Sequence, residues 1–207
     1  MLMLRATVRG LAPVLLILSA LGLGCGDATG PEQRLANDLH ILRLAVGAPP
    51  LVATEVSFWA VRGQDREESL YFQAIGGGRG DEFVKLRVPS GALLTRPDAS
   101  PVLAGDSVLI TLRAVDPSRI IFEFEPAGLQ FNPADPAELR IKYDEADPDF
   151  DSDGDVDPDD AALEASFAIW RQAVAGAPFI RLGTALAQDL NQVEAELTGF
   201  SRYSIAY

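Results

Sequence analysis

The chain has 207 residues, 48% of them hydrophobic, with 30 acidic against 17 basic side chains and a formal net charge of −13. That is enough apolar material for one domain with a substantial core. The acidic balance, with no sizeable basic patch, argues against nucleic acid as a partner, because phosphate binding draws on clustered Lys and Arg. One histidine, His40, and one cysteine, Cys25, leave almost no material for a Ser-His-Asp site, a histidine-rich zinc site or an intramolecular disulfide.

The first segment stands apart from the fold. Arg5 and Arg9 precede an apolar run from Leu11 to Leu23, short for a membrane span, which ends in Gly22-Leu23-Gly24-Cys25. This string resembles a bacterial lipoprotein signal, in which the cysteine is lipidated and becomes the mature N-terminus, although Gly22 stands where such signals usually have Leu. The resemblance implies that residues 1–24 are removed and that Cys25 carries a lipid. It also implies that the protein is exported and held to a membrane of the cell envelope, at the outer membrane or the cell surface. A plain secretory signal and an uncleaved anchor are the other readings. Removing Arg5 and Arg9 takes the net charge to −15. An exported chain without a disulfide invites some other staple.

Residues 25–50 read as a tether. Gly26 to Pro31 are small and polar, and Leu35, Leu39, Leu42 and Val46 then recur at helical spacing, which predicts a short helix; a strand over residues 40–46 is the alternative. From residue 51 to 207 the pattern is that of strands. Val56, Phe58 and Ala60 share a face, Leu70-Tyr71-Phe72 follows a charged turn, and Val84, Leu86 and Val88 alternate with Lys85 and Arg87. Val108, Ile110 and Leu112, then Ile120, Phe122 and Phe124, then Leu139, Ile141 and Tyr143 repeat the alternation, with Gly and Pro between the runs. Period two at this density predicts a mainly β protein, an antiparallel β-sandwich with one face of each sheet in the core.

Residues 144–176 interrupt it. Ten of the acids fall in residues 144–160, which hold no Lys or Arg, and such repulsion asks for a counter-ion or full solvation. Within this stretch Asp149, Asp151 and Asp153 occupy positions 1, 3 and 5 of a twelve-residue loop, Gly154 position 6 and Asp160 position 12. That is the spacing with which a loop wraps a hard cation needing six to eight oxygens, which makes calcium the expected cofactor. Leu163, Phe167, Trp170 and Val174 then fall on one helical stripe, predicting a helix from about Asp159 to Ala175. Beyond Pro178, Ile180, Leu182, Thr184 and Leu186 alternate as a strand; Asp189 to Asn191 turn the chain; Val193, Ala195 and Leu197, and finally Tyr203, Ile205 and Tyr207, form the last strands.

Two further resemblances rest on short motifs. Pro126-Ala127-Gly128-Leu129-Gln130-Phe131 with Pro136-Ala137-Glu138-Leu139, the segment Val88-Pro89-Ser90-Gly91-Ala92-Leu93, and the closing Gly199-Phe200-Ser201-Arg202-Tyr203 resemble the signatures of ZU5-type domains. The resemblance implies a β-sandwich used for interaction rather than catalysis. Some such proteins cleave themselves between that Phe and Ser, but Gly199 stands where the helping His would be. The acidic loop resembles an EF-hand loop and, with Asp160 rather than Glu at position 12, one half of a dockerin repeat. Carried over by position, Asp149, Asp151, Asp153 and Asp160 would supply side-chain oxygens, Asp155 its backbone carbonyl, and Val156 would pin the loop to its helix. A strand rather than a helix enters the loop, and no second loop is present for paired-repeat docking.

The remaining motifs carry less. Gly76-Gly77-Gly78-Arg79-Gly80-Asp81 lacks the Lys-Ser/Thr ending of a phosphate cradle and reads as a mobile hairpin tip rather than an adhesion tripeptide. Trp59, Trp170, Tyr71 and Tyr143 suit core packing better than a sugar-binding face. The sequence therefore points to a non-catalytic, calcium-stabilised envelope lipoprotein that binds an unidentified protein or glycan, or serves a structural role. A carbohydrate-binding or carbohydrate-cleaving surface domain is the alternative.

Overall fold

The computed structural model describes residues 30–207; the signal segment and Cys25 lie outside the described residues. Alternating side chains set the architecture, since every second residue of a strand lies on the same face. In chain order the strands are β1 (Gln33–Arg34), β2 (Glu55–Val61), β3 (Arg66–Gln73), β4 (Arg79–Val88), β5 (Leu93–Thr95), β6 (Ser107–Ala114) and β7 (Ile121–Glu125). They continue as β8 (Gln130–Phe131), β9 (Ala137–Lys142), β10 (Ala168–Gln172), β11 (Phe179–Arg181), β12 (Thr184–Ala187), β13 (Gln192–Leu197) and β14 (Arg202–Ala206). One short helix, α1 (Pro158–Glu164), lies between β9 and β10.

Seven strands pair in the order β1-β11-β10-β14-β7-β6-β2 and five in the order β12-β13-β9-β4-β3, while β5 pairs with β8 apart from both. The pairing is antiparallel throughout, and the two large sheets make the sandwich expected from the alternation. Phe58, Ile110, Leu112, Phe122, Phe124, Tyr203 and Ile205 of the seven-stranded sheet share one core with Leu70, Val84, Leu86, Leu139, Ile141 and Val193 of the five-stranded sheet. Each side chain of this size contributes roughly 1.5–3 kcal/mol when fully buried. The opposite face of the five-stranded sheet carries opposite charges on neighbouring strands: Arg87 meets Glu138 at 2.7 Å and Arg140 meets Glu82 at 2.6 Å.

Three segments differ from the periodicity reading. Residues 35–46 form no α-helix: after a 3-10 turn at Ala36–Asp38 the chain runs extended, and Leu42 N–H donates to Ile205 O at 3.0 Å while its carbonyl accepts from Ile120 N–H at 2.9 Å. The strand alternative describes it better. Leu39 and Ile41 pack on one side against Trp170 and Phe179, whereas Leu42 and Leu44 turn to the main core. Because apolar residues of this segment pack on both sides, no single period marks it, and Leu35, Leu39, Leu42 and Val46 fall at helical spacing within it.

The helix expected over 159–175 stops at Glu164, and its second half is β10. Phe167 and Ile169 enter the main core while Ala168 and Trp170 pack on the opposite face of the sheet. A run buried on both faces has no periodicity of its own, so helix and strand are indistinguishable by pattern. Pairing decides: β10 lies between β11 and β14, and Trp170 Nε1–H donates to Ala206 O at 3.0 Å. Val174, placed on the same stripe, is exposed. Finally, the strand expected over 180–186 breaks at Gly183 into β11 and β12, which belong to different sheets. The glycine-rich tip is a turn only through Gly78; Arg79, Gly80 and Asp81 already belong to β4.

Candidate metal centre in the acidic loop

The loop is held between two fixed points of the sandwich. Upstream, β9 delivers Tyr143, whose OH donates to Glu164 Oε1 on α1 at 2.7 Å. Burial, Glu164 and Asp144 push the Tyr143 phenol above its ordinary pKa, so it stays protonated as the donor. Downstream, Asp157 caps α1, with Pro158 at its first position: its carboxylate accepts from Asp159 N–H at 2.7 Å, and its own N–H donates to Asp160 Oδ2 at 2.9 Å.

Between these points the aspartates order the backbone. Asp149 accepts from Asp153 N–H and Gly154 N–H, both at 3.1 Å; Asp151 accepts from Asp153 N–H and Asp153 from Asp155 N–H, also at 3.1 Å. Gly154 turns the chain at φ +104°, a conformation that side chains with a Cβ resist. Asp149, Asp151 and Asp153 each bring one carboxylate oxygen within 4.8 Å of the others. Three of the five expected ligand residues thus converge, on the strength of spacing that was legible in the sequence.

Asp160 has a different occupation. It is buried, and its Oδ1 accepts from Phe150 N–H at 2.7 Å and Asp151 N–H at 3.3 Å while Oδ2 accepts from Asp157 N–H. The Asp157 N–H, then against desolvation those of Phe150 and Asp151, hold its carboxyl below the usual carboxylate range. A carboxylate has about four lone-pair sites, so three N–H donors leave one for a cation. In this conformation Asp160 can give one oxygen, on Oδ2, and cannot bind bidentately. Asp155 takes part through its N–H to Asp153.

The electrostatics of the triad favour a cation. Asp153 N–H lowers the Asp151 carboxyl, but partial desolvation and the charges of Asp153, Asp160 and Asp149 outweigh it and leave the group above its ordinary value. The charges of Asp151, Asp160 and Asp149 add to burial in raising the Tyr207 phenol, with Arg43 opposing them. All donors here are hard oxygens, which suits calcium and not a soft metal.

Val156 does not pin the loop, for its side chain is exposed. Phe150 does: its ring meets Phe167 edge-on at 4.8 Å and packs against the main core, and its carbonyl accepts from Tyr207 OH. An aromatic at the second loop position, between two aspartates, was the signal available for this anchor.

No family model, curated protein or solved structure matches the chain.

At the other sequence motifs, Gly199 approaches Leu129 so closely that a Cβ there would lie 2.8 Å from its carbonyl oxygen. A His there would have to displace the Leu129 carbonyl, just before β8. Arg171 Nε–H donates to Ser201 Oγ at 2.9 Å. Of the aromatic residues, Trp170 and Tyr143 are buried, and Trp59 is 60% exposed on β2, cross-strand from the exposed Leu109.

Proposed function

We propose that this protein is a calcium-stabilised, lipid-anchored module of the bacterial cell envelope, exported by its N-terminal signal and tethered through Cys25, with a binding or structural rather than catalytic role. The observation that carries the calcium reading is the convergence of Asp149, Asp151 and Asp153 within 4.8 Å, in register with Gly154. Asp160 supplies one further oxygen and Asp155 its carbonyl. The ion acts as a clip. By relieving repulsion among the three carboxylates it fixes a loop that Phe150, Tyr207 and Tyr143 tie to the core, and an ion bound only by the folded state adds stability by mass action. Calcium outside the cytoplasm fills sites with Kd on the order of 10⁻⁴ to 10⁻³ M.

Melting the protein in calcium and in chelator tests the clip. The expected result is a higher Tm with calcium that is lost in Asp149→Ala/Asp153→Ala; identical curves for both proteins would remove it. Mass spectrometry of the mature N-terminus tests the anchor, an unmodified Cys25 or cleavage elsewhere being the contrary result.

A second reading, a carbohydrate-binding or carbohydrate-cleaving surface domain, is favoured by the exposure of Trp59. Its indole lies on an outer sheet face beside the hydrogen-bonded hydroxyls of Ser57 and Thr111, 2.8 Å apart, and sugars stack on such a surface. Glycan screening of wild type against Trp59→Ala separates the two readings, because only the second expects a signal that the substitution removes.

A further inference from the structure

A cleft of about 300 Å³ opens between residues 36–43 and 147–152, with Tyr207 and His40 stacked at 5.1 Å in its wall. Two arginines, Arg43 and Arg119, line it. They lie directly opposite each other across an isolated antiparallel bridge. Ile120 N–H donates to Leu42 O at 2.9 Å and Leu44 N–H to Ser118 O at 3.0 Å, so Arg43 and Arg119 form a pair with no hydrogen bond between them. In such pairs the Cα atoms lie about 4.5 Å apart and the side chains approach most closely. Leu42 and Ile120 point into the core, which turns both arginines to the same outer face.

Like charges so placed repel unless an anion lies between them. Among the described residues neither guanidinium donates a hydrogen bond, Arg43 has no carboxylate within 4.0 Å, and Arg119 reaches only Asp116, at 4.0 Å. The Ser118 N–H and OH both donate to Asp116 Oδ1 at 2.8 Å, and it is Oδ2 that faces Arg119 at the limit of ion-pair distance. The cleft also carries the carboxylates of Asp147 and Asp149, which accept from loop N–H groups, Asp149 from Asp153 N–H and Gly154 N–H and Asp147 from Asp149 N–H. Arg43 and Tyr207 line the same cleft.

We infer that this cleft is an oxyanion site in which Arg43 and Arg119 together grip the carboxylate or phosphate group of a small ligand, with the His40–Tyr207 stack against the rest of it. The volume fits a ligand of monosaccharide size, at the lower end of the range for small-molecule pockets. Two guanidinium groups offer enough donors for the two or three oxygens of such a group. Both arginines lie outside the loop, whereas Asp149, Phe150 and Ser152 of the loop form the facing wall, so the titration is run without calcium.

The test titrates the full chain in nonionic detergent with D-galacturonate and, separately, with inorganic phosphate, in calcium-free resin-treated buffer, while backbone amide NMR signals are followed. At least one of the two anions is expected to shift residues 42–44 and 118–120 saturably, the tighter one naming the group recognised, and neutral galactose is expected to shift none. Arg43→Gln and Arg119→Gln, both surface changes, are each expected to weaken the binding about tenfold while the melting curve holds, and Arg87→Gln to leave it unchanged. No saturable shift with either anion, or equal affinity in wild type and both cleft variants, would overturn the assignment.

Discussion

Asp160 and Asp149 are both loop carboxylates, yet the folded chain uses them differently. Asp149 joins a triad of converging oxygens, whereas Asp160 is spent largely on three backbone N–H groups. Their substitutions are therefore expected to separate. Asp151→Asn, which removes one charge from the triad without altering size, is expected to weaken calcium binding about tenfold or more in calorimetry and to leave the calcium-free protein as stable as wild type. Asp157→Ala removes the helix cap and is expected to cost about 1 kcal/mol whether or not calcium is present. If Asp157→Ala proves as stable as wild type in denaturant melts, the capping box contributes nothing to the loop. The spacing of Asp149, Asp151 and Asp153 made the triad legible in the sequence; the role of Asp160 was not, because its backbone partners, Phe150 and Asp151, are ten and nine residues away and come into range only when the loop closes.

Among the elements, the loop is anchored through its second residue. Phe150→Ala is expected to destabilise the protein by about 2 kcal/mol, because it removes an edge-on contact and leaves a gap beside Phe167. Val156→Ala, at an exposed side chain, is expected to stay within about 0.5 kcal/mol. Thermal or urea melts giving the reverse order would restore Val156 as the pin. On the outer face of the five-stranded sheet, Glu82 is desolvated, but Arg140, Ser69 and Lys85 outweigh this and hold its carboxyl below its ordinary value of 4.5. A carboxyl lowered in the folded state adds stability above its unfolded pKa and loses it as pH falls through the folded one. Glu82→Gln is thus expected to lower stability at neutral pH and to flatten the loss of stability below about pH 4.5; an unchanged acid limb in pH-dependent denaturation would contradict this. Strands with one wet face, such as β4, β6 and β9, could be read from alternation alone. Residues 39–44 and 167–172 could not, because their apolar residues pack on both sides and only their partners, β14 above all, decide between helix and strand.

For the whole molecule, a seven-stranded and a five-stranded sheet enclose one core, and the acidic insertion hangs on it by aromatic contacts and a short capped helix. Among the described residues no helix is long and apolar enough to cross a membrane. If Cys25 carries the proposed lipid, Cys25→Ser is expected to release the protein from the membrane fraction without changing its melting curve. We propose that calcium clips the loop. This is tested most directly by the Tm of the purified protein in 1 mM calcium against chelator. With Kd near 10⁻⁴ M the ion adds about 1.4 kcal/mol, which for a protein of this size raises Tm by about 3–6 °C. That rise, absent in Asp149→Ala/Asp153→Ala, is the expected result; a wild-type Tm that stays the same in calcium and in chelator would contradict it.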